Sequence, residues 1–204
     1  MGLKPYHVLT LAAIFICAAC STLAQTAPAA TQSKNLLAVG AGVSGFNANV
    51  GQGSLLGGTL WIDYTLPHLP RILNGLGLEI EARDLNYGRS SVGWTNLRTD
   101  VASGGVIYSL PRYDKFRPYA KYVMGFGSID YGAPLHPYHE TRTVTSMGGG
   151  VDYRIFRNVW ARADYEYQFW PDFWKLSPNT HGKSLTPEGF TVGAIYHFNH
   201  AKRH

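Results

Sequence analysis

"GLGLEIEARDL", residues 75–85, alternates two kinds of side chain with a period of two. Leu76, Leu78, Ile80 and Ala82 fall on one side of an extended strand, while Glu79, Glu81 and Arg83 fall on the other, because successive side chains of a strand point to opposite faces. The second face carries full charges of both signs rather than merely polar groups. Residues 159–170, "VWARADYEYQFW", repeat the arrangement: Val159, Ala161, Ala163, Tyr165, Tyr167 and Phe169 oppose Arg162, Asp164, Glu166 and Gln168. Upstream, Leu60, Ile62, Tyr64 and Leu66 oppose Thr59, Asp63 and Thr65, with Trp61 on the polar side. Residues 96–109 divide less cleanly, since Arg98 and Asp100 share a face with Ala102 and Gly104.

Period two runs from residue 35 to residue 198, and no helical period interrupts it. It predicts eight strands, over residues 35–46, 54–66, 75–87, 96–109, 116–128, 141–154, 158–170 and 186–198. Each is about 11 to 14 residues, at or a little above the length with which a tilted strand crosses a membrane. A soluble β-sandwich would bury the apolar faces and spread the charges over water. It gives no reason for aromatics to gather at strand ends. Phe46, Tyr87, Trp94, Tyr108, Tyr119, Tyr131, Tyr153, Trp160, Trp170 and Phe198 all lie near expected ends, as the interface girdles of a membrane barrel require. Gly40, Gly42, Gly125, Gly127, Gly148 and Gly150 sit on polar faces, where they are expected to make room for long charged neighbours inside a narrow barrel. The fold class is all-β: an eight-stranded antiparallel up-and-down transmembrane β-barrel.

Composition agrees. The 204 residues are 45% hydrophobic and 15% charged, too apolar for a disordered chain and sparsely charged for a soluble surface. Residues 1–24 read as a signal peptide: Lys4, an apolar run over residues 8–19, then Thr22, Leu23 and Ala24 before Gln25. The run is too short to span a bilayer as a helix. Cys17 and Cys20 raise a lipoprotein alternative, but neither follows a Leu-small-small triplet, so ordinary signal-peptidase cleavage is expected. Cleavage removes both cysteines, and with them any disulfide or thiolate metal site. It also removes Lys4, lowering the formal charge of +5 by one. The remaining basic residues are scattered, so no nucleic-acid partner is expected. Residues 25–34 read as a flexible leader and residues 199–204 as a short polar tail.

Connections alternate in length. Residues 66–75, 110–115 and 154–158 are expected as periplasmic turns, and residues 47–53, 88–95, 129–140 and 173–185 as outer loops. "GRSSVGWT" and "IDYGAPLHPYHE", residues 88–95 and 129–140, have the Gly, Pro, His and aromatic content of exposed, adaptable surface.

The closing stretch "GFTVGAIYHF", residues 189–198, puts Phe190, Val192, Ala194, Tyr196 and Phe198 on one face and Thr191, Gly193, Ile195 and His197 on the other. Together with the strands above, it resembles the eight-stranded outer-membrane barrels: the OmpA-like transmembrane domain and the opacity-type or adhesin-type surface barrels. The resemblance spans residues 35–198. Its most specific part is the last strand, where Thr191, Gly193, Tyr196 and Phe198 match the family's assembly signal. "GGGVDYRIFRNVWARADYEYQ", residues 148–168, resembles the penultimate hairpin, whereas residues 199–204 depart from relatives that end on the aromatic itself. The resemblance implies a place in the bacterial outer membrane, with outer-membrane lipid and lipopolysaccharide and the barrel-assembly machinery as partners, and outer loops available to a surface ligand. No periplasmic domain follows Phe198, so a peptidoglycan-anchoring role is not expected. Lipid would receive the aromatic face of the last strand. Closure against the first strand would remove the sheet edge, whose unpaired groups cost several kcal/mol each in hydrocarbon.

Catalytic chemistry finds little support. His136, His139 and Glu140 in "HPYHE" lack the helical zincin frame and read as an incidental loop cluster. His181 and Ser184 faintly resemble the His/Ser pairing of barrel-shaped lipid A deacylases, but no family motif surrounds them. No enzyme, cofactor or metal is expected. Glu79, Glu81, Arg83, Lys121, Arg142, Asp152, Arg162, Asp164 and Glu166 are expected to form a luminal charge network, with Glu79 and Glu81 meeting Arg162 or Arg142. Eight strands enclose just enough room for their own side chains, so the network is expected to plug the lumen. The expected function is structural or surface-interacting, with a narrow porin-like channel as the alternative and a lipid A-modifying enzyme third.

Overall fold

The computed structural model describes residues 36–47, 54–87, 97–131, 138–171 and 184–198. The segments expected as signal peptide, leader and polar tail, and Trp94, His136 and His181, lie outside the described residues. Eight strands follow in order: β1 (Leu37–Asn47), β2 (Ser54–Thr65), β3 (Leu76–Tyr87), β4 (Leu97–Ser109), β5 (Phe116–Tyr131), β6 (Tyr138–Arg154), β7 (Val159–Phe169) and β8 (Glu188–Phe198). Each pairs antiparallel with its neighbours in sequence, and β8 returns to pair with β1. Closure gives every strand a paired neighbour on both sides, so no edge strand remains.

Register fixes the shape. Direct partners traced once around the wall lead from Leu37 through Tyr64, Leu78, Val106, Tyr122, Met147, Tyr167 and Glu188 to Asn47. The path returns to β1 displaced by 47 − 37 = 10 residues, a shear of 10. With a rise of about 3.3 Å and a strand spacing of about 4.8 Å, that shear tilts the strands by about 40° and gives a wall radius of about 8 Å. Each step to the next strand therefore climbs toward the loop end by slightly more than one residue.

The short connections gather at the end where β1 starts and β8 finishes. Between β4 and β5, Tyr113 and Phe116 exchange backbone bonds of 2.8 and 2.9 Å. Asp114 takes φ 50° between them, a left-handed conformation that Asp tolerates in tight turns. A 3-10 turn (Arg71–Leu73) lies between β2 and β3. β5 and β6 run to 16 and 17 residues, past the ends expected from sequence. Gly132, Pro134 and Pro137 suggested a loop from residue 129, yet pairing continues up to Tyr131 with Tyr138, because Ile129 still has apolar cover inside the wall with Val144 and Trp170.

Alternation sorts the side chains between lumen and exterior. Leu60, Ile62, Leu78, Ile80, Phe190 and Val192 face outward; Glu79, Glu81, Arg83, Lys121, Arg162 and Glu166 face inward and are buried. Aromatics facing outward at the turn end are Tyr64, Phe116, Tyr153, Tyr196 and Phe198. They form a girdle, but not with the expected membership. Phe46, Tyr119, Trp160 and Trp170 are buried inside the barrel, because they share the parity of the luminal charges. The glycines are corrected in the same sense. A Cβ on Gly40 would stand 2.3 Å from Trp61 Nε1, and one on Gly127 2.2 Å from Trp170. These glycines make room for buried aromatics, and of the six only Gly148 has a luminal lysine beside it, with Lys121 Cε 3.4 Å from its missing Cβ.

Candidate functional site

The lumen holds a ladder of ion pairs along the axis. At the turn end Arg117 donates to Asp152 at 2.7 Å, approaches His197 Nε2 at 3.3 Å and lies over the Trp160 ring. One layer up, Arg162 donates to Asp152 at 2.8 Å, to Asp63 at 2.6 Å and to Glu79 at 3.1 Å. Its guanidinium is also flanked by the rings of Tyr119 and Trp61, at 4.6 and 5.3 Å. Lys121 forms the next rung, with its ammonium 2.6 Å from Glu81, 2.7 Å from Asp164, 3.0 Å from Glu166 and 3.1 Å from Glu79. Arg83 follows, held by Glu166 at 2.9 and 3.1 Å and by Glu81. It also donates to Thr59 at 3.1 Å and stacks on Phe46 at 4.2 Å. Gln168 bonds Glu166 at 2.9 Å, and Trp170 Nε1 donates to Gln168 at 3.0 Å.

At the level of Trp170 the lumen turns apolar, with the Arg142–Glu140 pair beyond it at the mouth. Val101, Ile129, Val144, Trp170 and Leu185 form one buried cluster, and Phe46, Leu55 and Leu85 another. The polar ladder is thus capped toward the loop end by packed hydrocarbon. Six carboxylates (Asp63, Glu79, Glu81, Asp152, Asp164 and Glu166) surround four cations (Arg83, Arg117, Lys121 and Arg162) among the described residues. Lys121, Arg83 and Arg162 are each shared by at least two carboxylates. Such sharing holds long side chains in one geometry and offsets part of their desolvation.

Glu81, Asp164 and Glu166 bring carboxylate oxygens within 4.8 Å of one another, a spacing compatible with a metal ion. The Lys121 ammonium stands among these three, so the chain supplies its own cation there.

Eight of the nine residues expected in the network are brought together. The ninth, Arg142, is not: it pairs with Glu140 at the loop-end mouth, beyond Trp170, with 34% of its side chain exposed. Glu79 meets Arg162; Glu81 meets Arg83 and Lys121 instead. Asp63, Arg117, Tyr119 and Gln168 join the ladder without having been singled out as members. For Arg117 and Tyr119 the signal was present, since they lie four and two residues before Lys121 on the same strand face.

In β8, Thr191 turns inward and bonds Ser44 at 2.7 Å. Gly193 passes so close to β1 that a Cβ would stand 2.2 Å from Ala41 O. Tyr196 and Phe198 lie outside, ring edge to ring face with centroids 5.0 Å apart. His139 and Glu140 belong to β6 rather than to a loop, and they point to opposite faces: His139 outward with Asp130, Glu140 inward with Arg142. Ser184 is exposed. On the outer wall, Arg98 bridges Asp84 at 3.0 Å and Asp100 at 3.2 Å, which accounts for the mixed face of β4.

A family model described as the outer membrane protein beta-barrel domain matches residues 14–198. A search of curated proteins returned no significant match. Among solved structures, Neisserial surface protein A is similar at TM-score 0.59 and 13% identity, over 79% of this chain and 96% of that one. The attachment invasion locus protein Ail of Yersinia pestis gives TM-score 0.50 and 16% identity over 79% and 96%. The N-terminal β-barrel domain of Pseudomonas aeruginosa OprF gives 0.50 and 19% over 81% and 100%. At these identities the likeness is one of fold.

Proposed function

Because this chain belongs to the outer membrane protein beta-barrel domain family, and so resides in the bacterial outer membrane, we propose that it is a non-enzymatic barrel with a structural or surface-interaction role rather than a channel. One observation carries this reading: the lumen is filled from Arg117 to Trp170 by mutually paired charges and then by packed apolar side chains. An open pore needs a continuous polar path with room for hydrated ions. A barrel of eight strands and shear 10 has little interior beyond what these side chains occupy. What remains for function is the outer surface. Lipid and lipopolysaccharide at the wall, the assembly machinery at β8 and a ligand at the outer loops are the partners this reading implies.

Solute uptake by liposomes containing the refolded barrel, with a lipid A deacylation assay beside it, tests the proposal. Liposomes that neither swell in small sugars nor release acyl chains from lipid A support it. Sugar-dependent swelling would transfer the chain to the porin-like class, and released fatty acid to the enzymes.

A further inference from the structure

The outer wall carries a depression of about 620 Å³. Ala41, Leu60, Ala82, Ala102 and Phe126 line it, and they are successive direct partners across β1 to β5. Three alanines in one register line lower the surface between larger outward residues such as Val43 and Ile80. The line crosses the wall obliquely, since the shear lifts it toward the loop end at each strand. The adjacent line, Gly58, Asp84, Asp100, Ser128 and Thr141, is also one of direct partners. It turns the same depression polar along its upper margin.

The position of the charges on this wall is the second observation. Among the described residues, the ion pairs exposed on both sides are Arg98 with Asp84 and Arg98 with Asp100, and His139 is hydrogen-bonded to Asp130 near them. All lie on β3 to β6, beside the upper margin of the depression. At comparable height on β7 and β8 the outward residues are Tyr167, Phe169 and Phe190 together with Glu188, whose carboxylate accepts from Tyr165 at 2.7 Å. One sector of the wall thus carries exposed pairs of opposite charge, while the opposite sector carries aromatic rings and one carboxylate held by a tyrosine hydroxyl. Charges facing hydrocarbon are costly but tolerable near the headgroups.

We propose that this depression is a seat for one phospholipid with a zwitterionic phosphate–ammonium head, its acyl chain along the alanine line and its head at Arg98, Asp84 and Asp100. The volume lies within the range of about 300–1,000 Å³ typical of small-molecule sites. The head cluster holds one guanidinium between two carboxylates. A head with phosphate and ammonium satisfies both signs; a purely anionic head meets two carboxylates for each cation. The inference rests on the barrel's place in the membrane and is independent of whether the lumen conducts.

The test is native mass spectrometry of the refolded barrel after release from nanodiscs containing equal parts phosphatidylethanolamine, phosphatidylglycerol and lipid A. The seat predicts retained phosphatidylethanolamine at least fivefold above either competitor. Ala102→Phe, which fills the line from the lipid side, should reduce that retention to background with unchanged heat-modifiable mobility. Ala163→Phe on the outward face of β7 should leave it intact. Asp84→Asn with Asp100→Asn should abolish the headgroup preference while a chain is still retained. If Ala102→Phe does not fold, Ala82→Leu replaces it. Equal retention of the three lipids, preference for an anionic one, no retained lipid, or retention indifferent to the filling substitution would overturn the proposal.

Discussion

Arg162 is the residue on which the lower half of the ladder turns, since Asp152, Asp63 and Glu79 all accept from its guanidinium. Its removal leaves buried carboxylates without a counter-charge, which costs about 3–5 kcal/mol, whereas replacing a whole buried ion set by matched apolar groups is often nearly neutral. Arg162→Met is therefore expected to lower the urea midpoint of the refolded barrel, and Arg162→Met combined with Asp63→Leu and Glu79→Leu to recover part of the loss. Equal midpoints for wild type and Arg162→Met would contradict the pairing. Gly127 makes a complementary case. Its missing side chain is the space that Trp170 fills, so Gly127→Val should displace the ring and destabilise by about 1–3 kcal/mol, read as a red shift of tryptophan emission with a lower midpoint.

At the scale of the strand, most of the architecture was legible and one quantity was not. Alternation within "GLGLEIEARDL" and "VWARADYEYQFW" assigns each side chain to lumen or lipid, because parity is local to a strand. Level is not local: it depends on register accumulated around the whole wall. Arg142 has luminal parity, yet the register lifts it beyond Trp170 to pair with Glu140. The membership of the girdle differs from expectation for another reason. Trp160 and Trp170 are near strand ends but share parity with Arg162 and Gln168, and parity, not nearness to an end, decides the face a side chain takes. In β8 both criteria agree for Phe198, which is outward, at the end and edge to face with Tyr196. Phe198→Ala is expected to reduce folded yield by heat-modifiable mobility more than deletion of residues 199–204 does. Equal yields for Phe198→Ala and wild type would count against a role for this aromatic in assembly.

For the whole molecule, export and closure are the two claims. The mature chain is expected to begin at Gln25 without either cysteine, and amino-terminal sequencing from purified outer membrane checks it; a diacylated Cys17 or Cys20 would make the protein a lipoprotein. Closure is the central claim. Six carboxylates around four cations leave a formal excess of carboxylates in the ladder, so any leak created by loosening the ladder should favour cations. Single-channel recording of the refolded protein in planar bilayers tests this most directly. A closed lumen predicts a quiet baseline for wild type and small cation-selective steps for Arg162→Met. Sizeable, ion-selective steps from wild type, unchanged in Arg162→Met, would show that the ladder lines an open pore and does not plug it.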